Sequence, residues 1–230
     1  FATALRSILR QDPNIIMIGE IRDSETAQIA VRASITGHLV LSTIHTNNSL
    51  NTIERLIDMD VEKYLLASSL EGIISQKLAR RVCTKCRKKR PTSDYEKQLF
   101  KAVLNKDVNE IYEAVGCEEC AKGYKGRLGV HEVLVINQKI RDALTSNMPK
   151  EKLRELVYNS DVITMLQDGL QKVVNGDTTF EEIIKIIEID EDENLIGRAD
   201  LKNAIENSIL KSQRHENTRK ILETRNDGDC

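Results

Sequence analysis

An α/β fold with a mostly parallel sheet, followed by a four-cysteine metal module and a small helical domain, is predicted by three observations in this 230-residue chain. Two short apolar runs flank a helical pattern, and each ends in polar residues able to carry chemistry. Two Cys-x-x-Cys pairs stand thirty residues apart. Four further helical patterns then run to about residue 190.

The first run, Ile15-Ile16-Met17-Ile18, leads into Gly19-Glu20-Ile21-Arg22-Asp23. A continuous apolar run without period-2 alternation suits a strand covered on both faces, as in parallel sheets. The carboxyl end of such a strand is where ligands sit in open α/β sheets, and Glu20 occupies that end. Ser24 to Ser34 reads as a helix, with Ile29 and Ala33 on one face and Gly37 as its stop signal. The second run, Leu39-Val40-Leu41, lies between His38 and Ser42-Thr43-Ile44-His45-Thr46-Asn47. Strand, helix and parallel strand form a right-handed unit with both strand ends on one edge. Glu20, Ser42, Thr43 and His45 then converge, combining a base, an imidazole and hydroxyls. That set suits phosphoryl transfer if a phosphate-binding loop is near. Taken singly, Glu20 is a cap or ion-pair partner after a core strand, and each histidine a satisfied structural residue. Arg22 either stabilises phosphate charge or pairs with its neighbour Asp23. Glu25 is either a supporting acid or a first-turn residue favoured by the helix dipole.

Residues 1–79 form the α/β portion, which closes with an apolar-periodic helix from Val61 to Val82. A metal module follows at 80–128. Cys83, Cys86, Cys117 and Cys120 supply four thiolates, the number tetrahedral Zn2+ needs, and each two-residue gap lets one tight turn present two sulfurs. The long spacing between the pairs calls for an inserted helix over Glu96 to Leu104. Such a site is structural, with no open position for catalysis. A redox role is the poorer match, because two disulfides require an oxidising compartment.

Lys77, Arg80, Arg81, Lys85, Arg87, Lys88, Lys89 and Arg90 form a basic run containing no acid. This raises an alternative of another class, a zinc-stabilised nucleic-acid-binding module. The formal net charge of -2 and 3% aromatic content argue for a solvated face instead, and no nucleic acid partner is expected. A third possibility is docking on an anionic membrane surface.

Residues 129–190 read as helices at Lys139–Ser146, Lys150–Asn159, Met165–Asn175 and Phe180–Ile189, with Gly176 as a stop and Thr178-Thr179-x-Glu181-Glu182 as a start. His131-Glu132 lacks a second histidine four positions on and is no zinc-protease motif. The tail, 191–230, is charged; Leu201, Ile205 and Ile209 make a helical stripe, and Cys230 reads as an incidental thiol. Asp190-x-Asp192-x-Asn194 fails as a calcium loop, with Leu195 and Leu201 where Gly and Glu are required. At 40% hydrophobic residues the chain can bury a core, and it carries neither a membrane-spanning apolar run nor a signal peptide.

These residues resemble a known family, the hexameric secretion ATPases that drive type II secretion and type IV pilus assembly. Phe1-Ala2-x-x-Leu5-Arg6-x-x-Leu9-Arg10-Gln11-Asp12-Pro13 resembles the segment leading into that family's Walker B strand. Gly19-Glu20-Ile21-Arg22-Asp23 with Glu25-Thr26-Ala27 resembles the Walker B itself. Thr36-Gly37-His38 through His45-Thr46-Asn47 resembles its histidine box. The likeness continues through Arg55-Leu56-Ile57-Asp58-Met59, Gln76-Lys77-Leu78, Gly123-Tyr124-x-Gly126-Arg127-x-Gly129, Asp168-Gly169-Leu170 and Gly176-Asp177-Thr178-Thr179, covering about residues 1 to 187.

The resemblance implies a RecA-like P-loop NTPase half-domain, ATP and Mg2+ as cofactors, and the zinc module of the assembly branch. It implies Glu20 as the Walker B glutamate that orients the attacking water, His45 as the sensor of the terminal phosphate, and His38 as support for the same strand. It implies a homo-hexamer, located in the cytoplasm at the inner face of the membrane. Its implied partners are an inner-membrane platform protein and membrane-associated assembly proteins. One departure matters: no Gly-x-x-x-x-Gly-Lys-Ser/Thr occurs in the chain. The sequence also opens without methionine, inside a motif. The expectation is therefore a fragment, inactive alone, whose phosphate-binding loop lies upstream of Phe1. Pilus assembly and secretion share the quoted motifs, which do not separate them.

Overall fold

A computed structural model describes residues 2–146, 148–158 and 162–187. The tail, with its leucine and isoleucine stripe, the rejected calcium loop and Cys230, lies outside the described residues. In chain order the elements are α1 (Ala2–Leu9), β1 (Ile15–Ile18), α2 (Ser24–Ile35), β2 (Leu39–Ser42), α3 (Ser49–Asp58), α4 (Lys63–Ser69), β3 (Gly72–Val82), β4 (Lys88–Pro91), α5 (Asp94–Leu104), β5 (Glu110–Glu113), β6 (Tyr124–Val135), α6 (Gln138–Thr145), α7 (Lys150–Tyr158), α8 (Met165–Val174) and α9 (Phe180–Ile186). The chain divides into two compact units, Phe1–Arg80 with Gly126–Gly169, and Arg81–Lys125 with the described residues from Leu170 on.

In the first unit β1 and β2 pair in parallel, Ile15 opposite Leu39 and Ile18 opposite Ser42, as the crossover pattern predicts. The helix between them starts where Asp23 accepts the Thr26 amide at 2.8 Å. Its other end is marked by Gly37 at φ +104°, a left-handed conformation that glycine adopts without strain. Ile16 and Ile18 pack with Leu5, Ala30 and Ala33. The expectation of burial on both faces is corrected here. Ile16 and Ile18 are 3% and 5% exposed, whereas Ile15 and Met17 are 61% and 67% exposed, because α1 and α2 cover one face only.

A second correction concerns Val61–Val82. Helix α4 stops at Ser69, and Gly72 opens a long strand in which Ile73, Ser75 and Ala79 turn inward at even spacing. From Gly72 on the burial pattern changes from helical to alternating, and the backbone pairs with β6 instead of with itself. The Leu134 carbonyl lies 3.3 Å from where a Cβ on Gly72 would project, so this residue admits a close backbone approach. Leu50, Ile53, Ile73, Leu134, Ile140, Leu144, Leu153 and Val157 form one core, so α6 and α7 share the interior of α3 and the strands.

In the second unit β4 and β5 form an antiparallel pair, Lys88 opposite Glu113. The inserted helix is present as α5, begun by a reciprocal capping box between Ser93 and Glu96. Phe100 and Tyr95 meet Phe180 with ring centroids 6.0 and 6.1 Å apart, the latter pair edge-on. Thr179 caps α9 as its sequence signature predicts. Among the described residues no helix is long and apolar enough to cross a membrane.

Candidate functional site

The parallel pairing of β1 and β2 continues past both strands. The Ile21 amide donates to the Thr43 carbonyl at 2.9 Å, and Thr43 Oγ1 donates to the Gly19 carbonyl at 2.6 Å. These bonds hold the two strand ends together and bring Glu20 and His45 into contact, with Nε2 3.3 Å from Oε2. Glu20 is largely enclosed, 23% exposed, while His45 projects outward at 88%. The Arg22 guanidinium lies 2.5 Å from Glu20 Oε1. Arg22, and to a lesser degree His45, hold the Glu20 carboxyl below its ordinary range against the opposing effect of desolvation. Oε2 is buried, and its one near neighbour among the described residues' charged groups is His45 Nε2 at 3.3 Å. An ionised carboxylate with one unbonded oxygen is suited to accept from a water or to face a cation.

Arg22 pairs with Glu20, which corrects the alternative that coupled it to Asp23. Asp23 is committed to the start of α2, where it accepts from both the amide and the hydroxyl of Thr26. Glu25 does not join the group; it pairs with Arg6 at 2.6 Å on the surface. His38 lies at the opposite end of β2 from His45, its Nδ1 3.0 Å from the Ala33 carbonyl at the close of α2. The Ser42 hydroxyl donates to the Thr43 carbonyl.

Beside this pair is a cavity of about 700 Å³, lined by Val40 and Ser42 to Asn47 on one side and Gly72 to Gln76 on another. Among the described residues β2 pairs only with β1 and β3 only with β6, so each offers the slot a strand without a second neighbour.

In the second unit the four cysteine sulfurs lie within 4.8 Å of one another. Cys86 and Cys120 are 3.7 Å apart, and Cys117 and Cys120 3.6 Å. Zinc–sulfur bonds of about 2.3 Å in a tetrahedron place sulfurs ~3.8 Å apart, so the cluster fits Zn2+ in size. The amides of Gly116 and Cys117 point at the sulfurs of Cys86 and Cys120, at 3.3 and 3.2 Å, as partners for thiolate charge. Burial pushes the Cys86 thiol up to about 11. At Cys120 burial acts in the same direction, but the Cys117 and Gly123 amides outweigh it and bring the thiol down to about 7.

Much of the basic run is engaged within its own unit. Lys85 pairs with Glu119, Lys89 with Glu110, and Arg90 with Glu96 and Glu181. Arg87 stacks over Tyr112, 4.2 Å from the ring centroid, and donates to the Gly176 carbonyl.

Sequence reasoning missed Glu132, a buried carboxylate on β6 that accepts the Ser49 amide at 2.8 Å. The signal was its place in an alternating strand, where Val130, Glu132 and Leu134 all face inward.

An acidic strand end facing an imidazole across two parallel strands, with a four-thiol cluster of a size to hold a metal ion in a second unit, defines an α/β protein with a polar site and a candidate metal site. The chain belongs to the type II/IV secretion system protein family, which it matches over residues 1–185. It is 44% identical over 187 residues to the type II secretion system protein E of Aeromonas hydrophila, covering 81% of this chain and 37% of that protein. It is 43% identical over 186 residues to the type IV pilus assembly ATPase PilB of Thermus thermophilus, covering 80% and 21%. The crystal structure of the pilus retraction motor PilT with bound ADP superposes with a TM-score of 0.58 at 28% identity, covering 86% of this chain and 45% of that one. The chain thus spans less than half the length of these relatives.

Proposed function

We propose that this chain works within a longer polypeptide as the catalytic-carboxylate half of a motor ATPase. That ATPase uses ATP and Mg2+ to power type IV pilus assembly or type II protein secretion. The contact between Glu20 and His45 at paired strand ends carries this reading, and the names of the relatives PilB and PilT point the same way. Magnesium bound with the nucleotide supplies neutralisation of phosphate charge. Glu20, kept ionised by Arg22, accepts a hydrogen bond from the attacking water through Oε2. His45, exposed beside it, is placed to donate to the terminal phosphate and report its presence. His38, Glu25 and Arg6 act at a distance from this pair.

The chain has no phosphate-binding glycine-lysine loop of its own. The slot between β2 and β3 is of a size and lining to receive one further strand, and we assign to it the strand that carries that loop in the longer polypeptide. Alone, the chain does not turn over ATP. Assembly as a homo-hexamer against an inner-membrane platform protein belongs to the same proposal. So do a cytoplasmic location at the inner face of the membrane and Zn2+ as a structural staple of Cys83, Cys86, Cys117 and Cys120. The internal pairing of the basic run supports a solvated face over a phosphate-binding one.

The test is phosphate release by the longer polypeptide and its Glu20→Gln variant. Magnesium-dependent turnover that falls by about 10²-fold or more in the folded variant supports the proposal. Turnover indifferent to Glu20 overturns it and promotes the zinc-stabilised nucleic-acid module.

A further inference from the structure

We propose that Glu132 is a positioning residue for the histidine loop, acting through the first amide of α3, and that it is required for the geometry of His45. This rests on the ATPase reading and extends it to a residue eighty-three positions from its contact.

The side chain of His45 is almost wholly exposed, so packing around the imidazole does not fix it. Its position is set by the backbone on either side. Upstream, Ile44 packs against the cluster of Ala27, Leu56 and Leu66, and Thr43 is bonded to Gly19. Downstream, Thr46 Oγ1 is 2.7 Å from Thr52 Oγ1, and the loop runs into α3 after Asn48. The downstream anchor is therefore the start of α3. Asn48 caps that helix by accepting the Asn51 amide at 2.8 Å, which leaves the Ser49 amide in need of an acceptor. Ser49 is 0% exposed, so water does not serve. Glu132, itself 4% exposed, reaches from β6 to accept that amide at 2.8 Å, and Ser75 on β3 stands 3.4 Å from the Ser49 hydroxyl.

Burying a carboxylate is costly, and an ordinary polar cap would satisfy one amide at less expense. The carboxylate gains from the positive end of the helix dipole, and its anchor lies on a separate strand rather than in the loop. Glu132 therefore ties the loop to the sheet, whereas Asn48 only ends the helix. Without the tie the buried Ser49 amide is orphaned, and the first turn of α3 shifts or frays to reach another acceptor. His45 lies four residues before Ser49, so that shift is transmitted directly to its 3.3 Å contact with Glu20.

Two variants separate the tie from simple packing. Glu132→Gln keeps an acceptor oxygen; Glu132→Met keeps the volume and removes it. In amide NMR spectra of the 230-residue chain, Met is expected to displace the Ser49, Thr46 and His45 resonances and to speed exchange of the Ser49 amide, while Gln leaves them near their original positions. In the longer ATPase, Met is expected to lower kcat by about 10²-fold with KM for ATP unchanged, and Gln to recover most of the loss. If Glu132→Met does not fold, Ser49→Pro takes its place, deleting the donor at a helix position that tolerates proline. A folded Met or Pro variant with unmoved His45 and Thr46 resonances overturns the proposal. So does a loss of turnover confined to KM. Glu20→Gln is the parallel control. Turnover indifferent to it defeats the ATPase reading while the NMR arm still decides the tie, and turnover that collapses in it but survives Glu132→Met defeats the positioning role alone.

Discussion

Arg22 and Glu20, two residues apart at the end of β1, face each other at 2.5 Å, although Asp23, adjacent to Arg22 in the chain, also carries a carboxylate. Asp23 is occupied by Thr26, so the guanidinium is directed to the strand-end acid. Arg22→Ala is expected to raise the titration point of the Glu20 carboxyl toward the ordinary carboxylate value, and His45→Ala to raise it less. Carbon-detected NMR titration of the glutamate carboxyls reads both. An unmoved Glu20 in Arg22→Ala would show that the pair does not set its charge.

Metal analysis of reduced protein is expected to find one zinc per chain, lost when Cys83 or Cys120 is replaced by serine. Thiolates bind the ion and thiols do not, so acid releases it and a chelator lowers the melting temperature of the second unit. Absence of zinc in protein purified without chelator would sink the assignment.

Gly176 and Gly126 both adopt left-handed backbone, at φ +76° and +79°, but only Gly176 is crowded. A Cβ there would lie 2.6 Å from Tyr112 and 2.9 Å from Arg87, whereas nothing stands within 4 Å at Gly126. Gly126→Ala should cost about 1 kcal/mol, the backbone strain alone. Gly176→Ala should cost roughly 1–3 kcal/mol more, because it forces the Arg87 and Tyr112 stack apart. Denaturant melts of the two variants make the comparison.

Arg90 bridges the buried Glu96 and the exposed Glu181. Burial favours the neutral form of Glu96, but Arg90 and the Ser93 amide outweigh it and hold the carboxyl below its ordinary value of 4.5. A carboxyl depressed on folding adds stability that is present above the unfolded value and is lost as pH falls through the folded one. Acid titration below 4.5 should therefore weaken the second unit, and Glu96→Gln should flatten that dependence. Arg90→Ala, which leaves an acid buried without its partner, should cost roughly 3 kcal/mol at neutral pH.

The parallel unit of β1, α2 and β2, the helix between the cysteine pairs and the start of α9 were all legible in the sequence, because each is written in local signals: apolar runs, caps and stops. Strand β3 was not. Ile73, Ile74, Leu78 and Val82 fit a helical face as readily as a strand, and only pairing with β6 decides between them. The partners of Arg22 and Glu132 were equally hidden. In one case a neighbouring acid was already committed, and in the other the contact spans eighty-three positions. The Glu20 and His45 pair was visible because parallel strands carry their ends to one edge regardless of side-chain detail.

Ile15, Met17, Leu39 and Leu41 leave an oily face open on the small sheet. Such a face sets a race between two encounters. Burial by a segment on the same polypeptide is first order, at an effective concentration in the millimolar range, while capture by another copy is second order and slow at micromolar protein. Tethering the cover to the sheet therefore decides the winner before any sequence preference acts. A cell making the sheet and its cover as separate chains would have to hold the sheet apart from its own copies until they met.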